Sequence, residues 1–148
     1  MGSIAEVLRF WRRSRAAVWH VRVDRERGAI GRFNETVELK LAGRVPVKVV
    51  HDLQVAFDEL LTNVVMHARQ AAGPIEVELQ HDRRKVTATI RYLADEFDPT
   101  TWREESLSMT VATSRIGGLG IALVRRLMDE FRYEYVDGRN VLKLVKRC

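Results

Sequence analysis

Two short segments carry residue types that can handle a phosphate. The first is Asp58-Glu59-Leu60-Leu61-Thr62-Asn63, followed by Val64-Val65-Met66-His67-Ala68. Glu59 and Asn63 are four residues apart, so on a helix they share a face. By helical angle they border the apolar stripe rather than oppose it. Carboxylate and carboxamide oxygens are hard ligands suited to Mg²⁺, and a carboxylate can also activate a hydroxyl. Taken alone, the pair reads first as an ordinary amphipathic border with both side chains wet, since such pairs are common on any helix. His67 continues the stripe and, alone, reads as a packed or capping histidine rather than a ligand.

The second segment is Gly117-Gly118-Leu119-Gly120, running into Ile121-Ala122-Leu123-Val124. Glycines at a helix start let phosphates approach bare amides, and the helix dipole favours an anion there. No Gly-Lys-Ser/Thr follows, which excludes a Walker A loop. The sixth position of the dinucleotide fingerprint falls on Leu123, which excludes that motif as well. By themselves the glycines also fit a turn that needs positive φ angles.

The surrounding pattern supplies elements to hold these segments. Ala17 to Val23 alternates Trp19, Val21 and Val23 against His20 and Arg22, a strand signature. Asp24 is placed to cap a helix from about Arg25 to Leu41, with Gly43 ending it and Pro46 opening the next. Val47 to Gln70 has the longest helical pattern, with Leu53, Ala56, Phe57, Leu60, Val64 and Ala68 on one face. Gly73-Pro74 stops it. Ile75, Val77 and Leu79 alternate with polar residues, and across the polar turn His81 to Lys85 so do Val86, Ala88 and Ile90, which predicts a hairpin. Pro99 to Ile116 reads as a long Ser/Thr-rich loop. The glycines open a helix reaching about Glu130, and Asp137-Gly138 joins two last strands, Phe131 to Val136 and Arg139 to Lys146. Paired strands with helices gathered on one face predict a two-layer α+β sandwich with a mixed, mostly antiparallel sheet.

The 148 residues fit one domain, with 46% hydrophobic residues for a core and 30% charged residues for a wet surface. Residues 1–16 are expected to form a basic leader and residues 17–148 the domain. The net charge of +5 is concentrated in arginines 9, 12, 13, 15, 22, 25 and 27. No nucleic-acid motif accompanies them, so a DNA- or RNA-binding role is not favoured. No apolar run is long enough for a membrane span, and Met1 to Phe10 lacks the layout of a signal peptide. Met1-Gly2 opens like a myristoylation site, but Glu6 stands where Ser or Thr is wanted. A single cysteine, Cys148, permits neither an internal disulfide nor a cysteine metal cluster and suits the cytoplasm.

In combination and in this order, the segments resemble the GHKL superfamily of gyrase, Hsp90, histidine kinases and MutL, and within it the bacterial anti-sigma-factor serine kinases. Glu59 to Asn63 matches the N-box. Phe97-Asp98-Pro99 matches the end of the first glycine box and the start of the lid over ATP. Gly117 to Gly120, with Leu123 to Asp129, matches the second glycine box and its helix. Asp137-Gly138-Arg139-Asn140 resembles the closing hairpin turn. The resemblance covers about Val18 to Arg147 and implies ATP and Mg²⁺ as cofactors. It implies that Glu59 polarises the attacking hydroxyl, that Asn63 holds Mg²⁺, and that the amides of Gly118, Leu119 and Gly120 cradle phosphate oxygens. Arg115, in the lid, is a candidate for a terminal phosphate, though a solvated arginine is its default.

One departure stands out. The first glycine box of the family has an Asp that accepts from the adenine amine and a Gly two residues on. Inward alternation puts Tyr92 at the Asp position and Ala94 at the Gly position. Asp95 is an alternative acceptor that needs the loop to rearrange. Tyr92 can stack on the base, contact it through its hydroxyl, or fill the pocket. The resemblance therefore implies an anti-sigma regulatory kinase that phosphorylates a STAS-type antagonist and sequesters a sigma factor, with a homodimer also implied. The alternative is a nucleotide-free interaction module in the same kind of partner-switching pathway.

Overall fold

The computed structural model describes residues 16–101 and 118–148, together with Ile4; of Gly118 and Leu119 it describes the backbone alone. The rest of the basic leader, and the stretch 102–117 that contains Arg115 and Gly117, lie outside the described residues.

The element order is β1 (Ala17–Val23), α1 (Arg27–Leu41), α2 (Val47–His67), β2 (Ala72–His81), β3 (Lys85–Leu93), a short 3₁₀ turn (Pro99–Thr101), α3 (Gly118–Leu127), β4 (Glu130–Val136) and β5 (Arg139–Arg147). The strands form one sheet in the order β1-β2-β3-β5-β4. Its four pairings are all antiparallel, where the sequence left room for a mixed sheet. The architecture is the two-layer α+β sandwich expected from the sequence.

Alternation decides which face of the sheet is covered. Ile75, Val77 and Leu79 on β2, Val86, Ala88 and Ile90 on β3, and Leu142 and Leu144 on β5 are all buried. Phe57, Leu53, Leu60 and Leu61 of α2 and Ile30, Phe33, Val37 and Leu41 of α1 cover them. Phe33 and Phe57 meet edge to face with ring centroids 5.0 Å apart. Each of the larger buried side chains, Val, Leu, Ile or Phe, contributes about 1.5–3 kcal/mol, so the layer contact is the main source of stability. α2 runs through the middle of this layer and presents one border to α1 and the other to α3.

Three helix boundaries differ from the sequence pattern. Asp24 does not cap α1: Glu26 is the N-cap, without a side-chain cap, and its N–H donates to the Asp24 carbonyl at 2.8 Å. α2 ends at His67 rather than Gln70, because Gln70 (φ 53) and Gly73 (φ 72) both adopt left-handed backbone to turn the chain back into β2. α3 ends at Leu127 rather than near Glu130. There the N–H of Asp129 donates to the Val145 carbonyl (2.9 Å), and its carboxylate accepts from the N–H of Arg147 (2.6 Å). Sheet pairing takes the chain before another helical turn forms.

Asp52, 8% exposed, fastens the two layers. Its carboxylate accepts from Lys48 at 2.7 Å and lies 3.0 Å from the Lys146 ammonium, which also donates to the Leu127 carbonyl at 2.6 Å. One charge cluster thus joins α2, β5 and the C-terminal end of α3.

Candidate active site

Glu59 and Gly120 meet between α2 and α3. A Cβ built on Gly120 would strike the Glu59 carboxylate oxygen Oε2 and lie 2.7 Å from its Cδ and 3.2 Å from its Cβ. The missing side chain at 120 is therefore the space the half-buried Glu59 occupies. α3 begins at Gly118, so Gly120 lies in its first turn, where amide N–H groups lack intrahelical partners. The contact brings a carboxylate to the start of a helix that offers donors to an anion.

One turn further along α2, Asn63 lines a cavity of about 430 Å³ between the end of α2 and the segment that follows β3. That volume lies in the range of small-molecule sites. Tyr92 and Asp95 line it too, with Arg69, Glu96 and Phe97 around the rim. Glu59 and Gly120 stand outside this lining, toward α3. Ala94 is buried beneath the wall.

Tyr92 takes the inward place opposite Asn140 and is only 5% exposed. Burial, and secondarily Tyr133, push its pKa well above the usual tyrosine range, so the hydroxyl stays protonated. Among the described residues it makes no hydrogen bond. The ring narrows the hollow without closing it.

The sequence reasoning missed the group that builds the wall. Asn140, fully buried, uses its Oδ1 to accept from the N–H of Phe97 (2.9 Å) and from the Tyr133 hydroxyl (2.6 Å). Its Nδ2 donates to the Asp95 carbonyl at 2.9 Å. The Tyr135 hydroxyl donates to the Ala94 carbonyl at 3.0 Å, and the Asp95 N–H donates to the Arg69 carbonyl at 2.9 Å. The available signal was a polar residue in the inward register of β5, in line with Leu142 and Leu144.

The residues present fit a magnesium nucleotide. The cavity is open beside Tyr92, and Gly120 is kept bare beside Glu59. Among the described residues no group of three His, Cys, Asp or Glu could hold a metal by itself. One carboxamide oxygen suits a Mg²⁺ whose other ligands come from phosphates and water. None of the described helices is long and apolar enough to cross a membrane.

The family model described as "Histidine kinase-like ATPase domain" matches residues 7–146. The serine/threonine-protein kinase BtrW of Bordetella bronchiseptica is 31% identical over 108 residues, covering 72% of this chain and 76% of that protein. The serine-protein kinase RsbW of Listeria innocua is 31% identical over 101 residues, covering 64% of each chain. RsbW of Listeria monocytogenes gives the same identity and coverage.

Proposed function

The chain belongs to the histidine kinase-like ATPase domain family, and from that premise we propose that it is an ATP-dependent serine/threonine-protein kinase of the anti-sigma type. It phosphorylates a small antagonist protein and sequesters a sigma factor. The observation that carries this reading is the Glu59 carboxylate seated against the bare Cα of Gly120, with Asn63 lining a cavity one turn away. The names of BtrW and RsbW support the choice of serine as acceptor.

Bound Mg-ATP supplies the transferable phosphoryl group and the cation that offsets its charge. The chain's own residues do the rest. Glu59 orients the incoming hydroxyl and takes its proton, from a place where the glycine leaves the carboxylate room to face the acceptor. The amides of Gly118, Leu119 and Gly120 offer donors at the start of α3. Asn63 contributes a neutral hard oxygen toward the metal, and Tyr92 gives the base an apolar face. Phosphoryl transfer is mainly positioning and charge stabilisation, so this set suffices.

Calorimetric titration with ATP, with and without Mg²⁺, tests the nucleotide half of the reading. Mg²⁺-dependent binding by the natural chain is expected; binding that appears only after Tyr92→Asp would leave an interaction module in place of an enzyme. The Glu59→Gln variant tests the chemistry. Transfer to an antagonist serine is expected to fall by about 10²–10⁴-fold while ATP affinity is nearly kept. Unchanged transfer would remove Glu59 from the mechanism.

A further inference from the structure

Tyr92 is the inward residue near the end of β3 and lines the cavity wall, but a phenol there cannot by itself tell one base from another. A protonated tyrosine hydroxyl both donates and accepts, so it meets an amino or a keto group equally well. Discrimination needs a group that only accepts. Two carboxylates line the cavity, Asp95 and Glu96. Neither carboxylate has a hydrogen bond or ion pair among the described residues.

They differ in how they are held. Both main-chain groups of Asp95 are committed, its N–H to the Arg69 carbonyl at 2.9 Å and its carbonyl to Asn140 Nδ2 at 2.9 Å. The Asn140 end of that clamp is fully buried and is itself fixed by Tyr133 and by the N–H of Phe97. Asp95 then has only two side-chain torsions left to order, whereas Glu96 has three and, among the described residues, no main-chain hydrogen bond. Preorganisation of this kind makes a polar contact selective.

We infer that Asp95 is the specificity-determining acceptor for an amino-bearing purine in this cavity, and that Asn140, braced by Tyr133, is its positioning residue. The inference rests on the nucleotide-binding reading above and goes beyond it by naming the group that selects the base. The loop rearrangement expected from sequence is unnecessary, because the clamp already presents Asp95 to the cavity.

The test is calorimetric titration of the full chain, in Mg²⁺, with ATP, with inosine triphosphate and with inorganic tripolyphosphate. Inosine triphosphate differs from ATP by a keto group in place of the amine. The natural chain is expected to prefer ATP by about tenfold or more, the scale of one hydrogen bond to a charged acceptor. Asp95→Asn, whose amide can also donate, is expected to erase that preference while leaving tripolyphosphate affinity unchanged. Glu96→Gln is expected to keep the preference. Tyr133→Phe removes one brace without emptying the core and is expected to narrow the preference severalfold with thermal stability little changed. Asn140→Ala is the stronger version and is read by the same ratio in whatever fraction folds. Binding with no base preference, or a preference that survives Asp95→Asn, overturns the inference alone. Absence of binding by any of the three probes overturns the kinase reading with it.

Discussion

The two ends of the candidate site are built by different physics. At the end proposed to face phosphate, Glu59 and Gly120 are brought together by the packing of two helices, and specificity of position comes from one missing side chain. At the end proposed to face the base, segment 94–97 has no regular structure of its own and is held by hydrogen bonds with Asn140, with the Tyr135 hydroxyl and with the Arg69 carbonyl. Helix packing is non-directional and tolerant, so the first end depends on volume. Hydrogen bonds are directional and costly to leave unmade, so the second depends on satisfied partners. The contrast extends to the glycines. Gly120 is helical and is needed for space, whereas Gly138, in the β4–β5 turn, has φ 76 and is needed for conformation.

The largest expected effect comes from Gly120→Ala. In an open helix this change would stabilise by about 1 kcal/mol. Here the new methyl meets the Glu59 carboxylate, which can swing, and approaches the Glu59 Cβ at 3.2 Å, which can give only slightly. Melting temperature should therefore change little, while phosphoryl transfer falls by about 10²-fold or more as the carboxylate leaves its place. A transfer assay beside a thermal melt checks this. If transfer survives, helix packing is not what positions Glu59, and the contrast between the two ends breaks.

Legibility divided along the same line. That Glu59 and Asn63 share one face of α2 could be read because i, i+4 spacing on a strongly patterned helix needs no tertiary information, whereas their roles came only from the resemblance. The sheet could be read because β2, β3 and β5 alternate cleanly, and that alternation also placed Tyr92 inward. Asp24 was misread as a cap because the rule sees residue type and not the main-chain bond from Glu26 to the Asp24 carbonyl. The role of Asn140 could not be read at all, since it acts on main-chain groups more than forty residues away in sequence. Asp95 was seen only as a distant alternative for the same reason. Arg115 and Gly117 lie outside the described residues, so the lid side of the site stays as the sequence left it.

Asp52 offers a middle-sized test of the packed end. Burial pushes its carboxyl up, but hydrogen bonds from Lys48 and Lys146, with their charges, outweigh that and hold it below the usual carboxylate range. A folded pKa below the unfolded one stabilises above the unfolded value, about 3.9, and the gain is lost as pH falls through the folded value. Asp52→Asn should cost roughly 1–3 kcal/mol near neutrality, and the gap from the natural chain should close below about pH 4. Denaturant unfolding at several pH values measures it. Because Lys146 also ties down the end of α3 at the Leu127 carbonyl, some loss of transfer should accompany the loss of stability. A gap that stayed constant with pH would mean that the ion cluster is not what fastens the helices.

The smallest effect belongs to Gly138→Ala, and it sharpens the contrast most cleanly. Leu93 is the nearest side chain to the added methyl, at 3.9 Å, so no clash arises. The cost is conformational, about 1 kcal/mol for an L-residue held in left-handed backbone. Gly138 also accepts from the Ala94 N–H at 3.4 Å, so relaxation of the turn reaches segment 94–97 and the base end with it. Stability should fall slightly, and the preference for ATP over inosine triphosphate should narrow, while tripolyphosphate affinity and the transfer rate at saturating nucleotide stay put. Gly120→Ala should do the reverse on the two readouts that separate the ends: the base preference stays and the transfer rate falls. Two glycine-to-alanine changes with opposite signatures are what a site assembled from one volume-limited end and one hydrogen-bonded end requires.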